Sequence, residues 1–129
     1  TLSPSFALRE GEAYMPFGTP GGDGQDQWSV IFFLRHILHG MNLQEAIDAP
    51  TFQTHHFPSS FFPRQAEPGR LVLEGRYPQA TVNALADKGH KVEVGGPWTQ
   101  GRISACAKDG ELLKAAANPR LMQGYAVGR

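Results

Sequence analysis

Seven consecutive residues, Gly18 to Gly24, contain four glycines and one proline. So much backbone freedom can neither continue a strand nor begin a helix, so the segment must be a loop. A long apolar run follows it at once. Trp28, Ile31, Phe32, Leu34, Ile37 and Leu38 cover nearly every face of a 3.6-residue period. That pattern predicts a helix over Gln27–His39, buried against a sheet. Asp23 or Asp26 can cap its start, and Gly40 suits its end.

A glycine loop running into a helix has two uses. It can be a plain structural turn. It can also bring backbone N–H groups close to a ligand with no Cβ in the way, at a helix end that favours negative charge. Two such amides can hold the oxygen of a tetrahedral acyl intermediate. Other loop chemistries fail on spacing. Gln27 stands where a dinucleotide loop needs its third glycine. No Gly-Lys-Ser/Thr follows, so the segment is not a P-loop. A calcium loop starting at Asp23 would need its twelfth-position acid where Leu34 stands. On spacing alone, the turn is the simpler account.

The rest of the chain alternates short strands with helices. Ser5–Leu8 and Ala13–Phe17 flank Arg9-Glu10-Gly11-Glu12 as a β-hairpin. Asn42 and Glu45 form a capping-box pair opening a short helix, Leu43–Ala49, which Pro50 stops. Thr51–Phe57 reads as a strand, Pro58–Gly69 as irregular, and Arg70–Leu73 as a strand. Pro78 opens a helix reaching about Lys88, with Gly89 as its stop. Lys91–Val94, Ile103–Ala107 and Leu112–Ala116 read as strands, the last two joined by an Asp109-Gly110 turn. Asn118–Arg129 reads as loop. Six or seven strands joined mostly by hairpins predict a largely antiparallel α+β protein, and residues 1–129 form a single domain.

Composition removes several function classes. Twelve basic residues balance twelve acidic ones, with no basic run to attract nucleic acid. No uncharged apolar run reaches the roughly 18 residues of a membrane span, so no partner membrane is expected. Cys106 is the single cysteine, which excludes an internal disulfide framework. Its place in a predicted inward strand reads as an inert core thiol. The compartment, periplasmic or secreted against cytoplasmic, stays open. The chain begins without methionine, directly on a strand-like run, and so reads as a processed chain or a cut piece.

The remaining candidates have bland counterparts. His36 and His39 share a helix spacing, and one of His55-His56 could join them on a metal, but helix-edge and strand packing explain them more simply. No metal or cofactor is expected. Thr1, as a terminal threonine, could be a nucleophile with its own amine as base. Nothing near it supports that role. Asn118-Pro119-Arg120 reads as a tail turn with a surface arginine.

Five stretches taken in order resemble the C-terminal part of the γ-glutamyltransferase (γ-glutamyltranspeptidase) family: "LSPSFALREGEA", "FGTPGGDGQDQ", "GMNLQEAIDAPTFQTHH", "ALADKGHKVEV" and "AAANPRLMQGYAVG". The resemblance implies the N-terminal-nucleophile hydrolase fold, an αββα sandwich of two antiparallel sheets between helical layers. It implies a self-cleaving precursor whose new N-terminal threonine attacks a γ-glutamyl amide such as glutathione, then passes the acyl group to water or an amine.

Residue by residue, Gly21 and Gly22 match the pair whose backbone amides form the oxyanion hole. Thr19 and Pro20 match the loop presenting them. Ser3-Pro4 matches the Ser-Pro after a Ser-Ser pair, which puts Thr1 on the second of those serines, a contributor to substrate α-carboxylate binding. The family's nucleophile therefore has no counterpart in this chain. The implied partners are the missing N-terminal part or large subunit and a small γ-glutamyl or related amide. Thr1 in place of serine, and "DGQDQ" in place of a shorter Ser/Thr-rich link, imply a divergent branch. A cephalosporin-acylase-type amidase is one alternative, and a non-catalytic module retaining the fold is another. Alone, the piece is expected to be inactive and to self-associate through apolar surface.

Overall fold

The computed structural model describes residues 3–122 and 124–127. They form two compact units, one of residues 1–49 with 101–129 and one of residues 50–100. Four of the five strand pairings are antiparallel. The α+β, largely antiparallel class expected from the sequence holds.

In the first unit, β1 (Ser5–Arg9), β2 (Glu12–Gly18), β6 (Ser104–Asp109) and β7 (Leu112–Ala117) form a sheet in the order β1-β2-β6-β7. The turn between β1 and β2 has left-handed φ at Glu10 (53°) and Gly11 (84°), the twist a two-residue hairpin needs. The pairing slips between Ala7 and Leu8, opposite Tyr14. Such a bulge turns two successive side chains toward one face. Tyr14 and Met15 are accordingly both buried, where strict alternation would bury one.

Helices α1 (Gln25–Ile37) and α2 (Leu43–Asp48) complete the core of this unit. Phe32 and Met15 are its largest fully buried side chains, at 2% and 0% exposure; each such burial contributes about 1.5–3 kcal/mol. Ala105, Ala107 and Ala116 are buried in the same cluster as Leu43, Ala46 and Ile47, so the strands meet α2 with short side chains.

The capping box of α2 is present, with Asn42 Oδ1 accepting from Glu45 N at 2.9 Å and Glu45 Oε2 from Asn42 N at 2.9 Å. Its far end differs from expectation. Arg120, read as a surface residue, is buried and donates to Ile47 O at 2.8 Å and Ala49 O at 3.2 Å. The last carbonyls of a helix lack internal partners, and this guanidinium supplies them.

Helix α1 begins two residues earlier than predicted, and no side chain caps it; Asp23 and Asp26 do not serve as caps. It is also not buried all round. Gln25, Trp28, Ser29 and Phe32 are buried, whereas Val30, Leu34, Ile37 and Leu38 are exposed. His36 links three elements of the unit. Its Nδ1 lies 2.7 Å from Met41 O and its Nε2 2.6 Å from the Tyr14 hydroxyl. A carbonyl can only accept, so Nδ1 carries the proton and the Tyr14 O–H donates to Nε2.

In the second unit, β3 (Phe52–Thr54), β4 (Arg70–Leu73) and β5 (Lys91–Val94) form a sheet in that order. The predicted strand over Thr51–Phe57 shrinks to these three residues because pairing with β4 ends at His55, whose N–H donates to Arg70 O while its carbonyl accepts from Glu67 N. Helix α3 (Gln79–Asp87) carries the crossover between the parallel strands β4 and β5. Directly after β4 comes Glu74, fully buried and bonded to Arg76, Thr51 and Gln100.

On the surface of the β6–β7 hairpin, the Lys114 ammonium donates to Asp109 at 2.6 Å. That hydrogen bond, then the charges of Lys114 and Arg9, hold the Asp109 carboxyl below its ordinary value of 3.8. A depressed folded-state pKa stabilises above the unfolded value, and the contribution is lost as pH falls through the folded one. Wild type is therefore expected to exceed Lys114→Ala in urea midpoint at pH 7, with the gap narrowing as pH falls below 3.8. A gap that persists undiminished at pH 2 contradicts this.

Candidate active site

The glycine loop is built from the end of β2 into α1. Thr19 is buried, and its hydroxyl donates to Pro20 O at 2.7 Å. Gln25, buried in the first turn of α1, donates from Nε2 to Thr19 O at 2.9 Å and accepts from Ser3 Oγ at 2.8 Å. One amide side chain thus fastens both the loop and the strand entering β1. Sequence reasoning passed over Gln25, which sits among the polar residues Asp23, Asp26 and Gln27 with nothing local to single it out.

Gly21 has φ 135° and Gly22 has φ 56°. Both values belong to glycine's range. A 3₁₀ turn, Gly22–Gly24, follows, closed by Gly24 N donating to Gly21 O at 3.2 Å, and it runs into α1. Among the described residues, no group accepts from the N–H of Gly21 or Gly22. Two successive amides left without an acceptor on a loop are candidate donors to an oxyanion. Asp23 and Asp26 sit in the first turns but are exposed, where water screens them.

Gly21 is also fixed by packing. A Cβ there would overlap the six-membered ring of Trp28, Cζ3 first. Trp28 is buried on the first full turn of α1, so the helix carries the floor of the loop. The loop therefore rests on a rigid element.

Strand register brings further residues to this end of the sheet. Gly18 pairs with Ser104, and Ser104 with Ala117. The end of β2, the start of β6 and the end of β7 lie side by side, and Pro20, Arg102 and Asn118 follow from them. A cavity of about 810 Å³ opens here, lined by Thr19, Pro20, Arg102, Ser104 and Asn118 among others.

The other candidates separate. Thr1 lies outside the described residues. Both ring nitrogens of His36 are engaged, His39 is exposed, and His56 Nδ1 accepts from Gly69 N at 3.1 Å. Cys106, expected in the core, is exposed. Alternation along β6 turns Ala105 and Ala107 inward and Cys106 outward.

The chain is similar to known proteins over nearly its whole length. The family model described as gamma-glutamyltranspeptidase matches residues 1–128. The glutathione hydrolase-like YwrD proenzyme of Bacillus subtilis is 34% identical over 131 residues, covering 99% of this chain and 24% of that protein. The oxamate amidohydrolase proenzyme of Klebsiella pneumoniae gives the same identity and coverage, 34%, 99% and 24%. A solved structure, that of LmbA2991HD, superposes with a TM-score of 0.93 at 51% identity, covering 98% of this chain and 23% of that one. The chain thus spans about a quarter of the length of the relatives it matches.

Proposed function

Since this chain belongs to the gamma-glutamyltranspeptidase family, we propose that it is the oxyanion-holding, C-terminal part of an amide acyltransferase or hydrolase. The fold is of the N-terminal-nucleophile hydrolase type. In this reading, the other part of the precursor supplies a threonine hydroxyl that attacks the carbonyl carbon of a γ-glutamyl amide. The carbonyl π pair moves onto oxygen, and the N–H groups of Gly21 and Gly22 hold the resulting oxyanion. Collapse expels the amine, which takes the proton given up by the nucleophile, and leaves an acyl-enzyme that water or an amine resolves.

The observation carrying this reading is the pair of adjacent glycines at positive φ whose amides meet no acceptor among the described residues. The sheet supports a partner part as well. On the face away from the helices, Phe6 and Leu8 are 58% and 64% exposed, and Leu113 78%. Apolar surface of that extent is covered in a complete protein, here by the remainder of the precursor.

The test compares the 129-residue chain with the complete precursor. The chain alone is expected to release no chromophore from γ-glutamyl p-nitroanilide and to elute from a sizing column as an oligomer. The complete protein is expected to release it. Release by the chain alone, or a stable monomer, contradicts the reading. A second reading, hydrolysis of a different amide, is favoured by the likeness to an oxamate amidohydrolase. It predicts faster turnover of oxamate than of the anilide.

A further inference from the structure

We propose that the outward face of α1 is a dimer interface: two copies of the complete protein pack α1 against α1, antiparallel, with Leu34 at the two-fold axis. The proposal rests on the reading above in which the rest of the precursor closes over the sheet face away from the helices.

Helix α1 carries two faces that both favour burial. At about 3.6 residues per turn, Gln25, Trp28, Ser29 and Phe32 fall on one side, and all four are buried. Val30, Leu34 and Ile37 fall on the opposite side. Leu38 extends their row, since its backbone keeps helical angles (φ −93°, ψ −35°). These four side chains are 40–70% exposed. Ile31 and Phe33 border the row, half-buried against the core. A surface helix normally turns polar side chains to this side. Steps of four and three residues are instead those of a helix–helix seam.

Direction separates this row from the surface that the rest of the precursor covers. Trp28 and Phe32 pack in one cluster with Tyr14 and Met15 of β2, so the row opposite them points away from the sheet. The second sheet of an αββα fold stacks on the other face of the first and cannot reach the row. What covers it comes from outside the layered fold.

Symmetry and charge select a second copy. Val30 and Leu38 lie four residues on either side of Leu34, so a two-fold axis there sets each Val30 against the Leu38 of the other copy. The acid of the first turn is Asp26, and the bases of the last turn are Arg35 and His36. Antiparallel packing sets the acidic end of each helix beside the basic end of the other, whereas parallel packing sets like ends together. Between Asp26 and Leu38 the only charged side chain is Arg35, and it turns aside to Ala46 O and Ala49 O, both at 3.4 Å. The row therefore meets its own copy without like charges. The four side chains expose roughly 400 Å² of apolar surface, a patch size that marks a contact site. A standard interface takes about 800 Å² from each partner, with its most apolar part at the centre.

Light scattering on the complete, processed protein tests this. Wild type is expected to show the mass of two precursor equivalents. Leu34→Glu places two carboxylates together at the axis, so its dimer dissociation constant is expected to rise at least about 100-fold, with kcat/KM per protomer within about twofold of wild type. Leu34→Cys in a Cys106→Ser background serves if the glutamate variant does not fold. Mild oxidation is expected to link it as a disulfide-bonded dimer through the copy it faces. Val30→Cys alone is expected to stay unlinked, and to link when co-assembled with Leu38→Cys. A wild-type protein with the mass of one copy, a Leu34→Glu protein that stays as dimeric as wild type, or a Leu34→Cys protein that does not cross-link overturns the proposal. An inactive complete protein would sink the acyl-transfer reading, while its mass and cross-linking still decide this one.

Discussion

Gly21→Ala in the complete protein is expected to lower kcat/KM toward its amide substrate by about 100-fold, the scale of losing one oxyanion donor. The substitution leaves the N–H in place, so the loss must come from displacement. Two constraints force that displacement. The φ of 135° is outside the usual range of an L-residue, and the new Cβ would overlap the Trp28 ring at Cζ3. The strained backbone and the overlap are each worth about 1–3 kcal/mol. The loop relieves both by swinging off α1, which turns the Gly21 and Gly22 amides away from their common point. A double variant separates the two constraints. Trp28→Leu in the Gly21→Ala background removes the overlap and leaves the φ constraint. It is expected to restore stability more fully than activity. Unfolding midpoints and kcat/KM measured on the same four proteins read this directly. A Gly21→Ala protein within twofold of wild type in kcat/KM would refute the oxyanion assignment.

Much of this region was legible in the sequence because its chemistry is local. Four glycines and a proline in seven residues fix a loop, and Asn42 with Glu45 fixes a cap, whatever the rest of the chain does. What the sequence concealed depends on distant partners. Tyr14 and Met15 both face the core because a bulge interrupts the alternation, and nothing local to those residues announces one. Cys106 was misread because a short apolar strand does not say which of its faces meets the helices. Arg120 was misread because its acceptors, Ile47 and Ala49, lie far back along the chain. Arg102 needed the register of three strand ends before its position near the glycine loop could be seen. The loop itself could be found in sequence, whereas the walls of its cavity could not.

Removing the carboxylate of Glu74 should be the most damaging single change in the unit of residues 50–100. Glu74 is 0% exposed. Its Oε2 accepts from Thr51 N at 3.0 Å and from Arg76 Nη2 at 2.7 Å, and its Oε1 accepts from Gln100 N at 3.0 Å. Thr51 O in turn accepts from Glu74 N at 3.0 Å. One side chain therefore holds both ends of the unit, and Arg76 is steadied from its other side by the Trp98 ring at 3.4 Å. Glutamine has nearly the same shape but offers one oxygen and one NH₂. Whichever way the amide turns, a donor faces either Gln100 N or the pair formed by Thr51 N and Arg76. Breaking a buried pair while leaving its partners costs about 3–5 kcal/mol, so Glu74→Gln is expected to lower the unfolding midpoint by more than about 10 °C. Glu74→Ala should cost more, since it leaves the Thr51 and Gln100 amides without their acceptor and takes the carboxylate from Arg76. Hydrogen exchange locates the damage: the Thr51 and Gln100 amides should lose protection first, while Leu43 and Ala46 of α2 keep theirs. Uniform loss across both units, or a Glu74→Gln protein as stable as wild type, would show that the carboxylate does not close this unit.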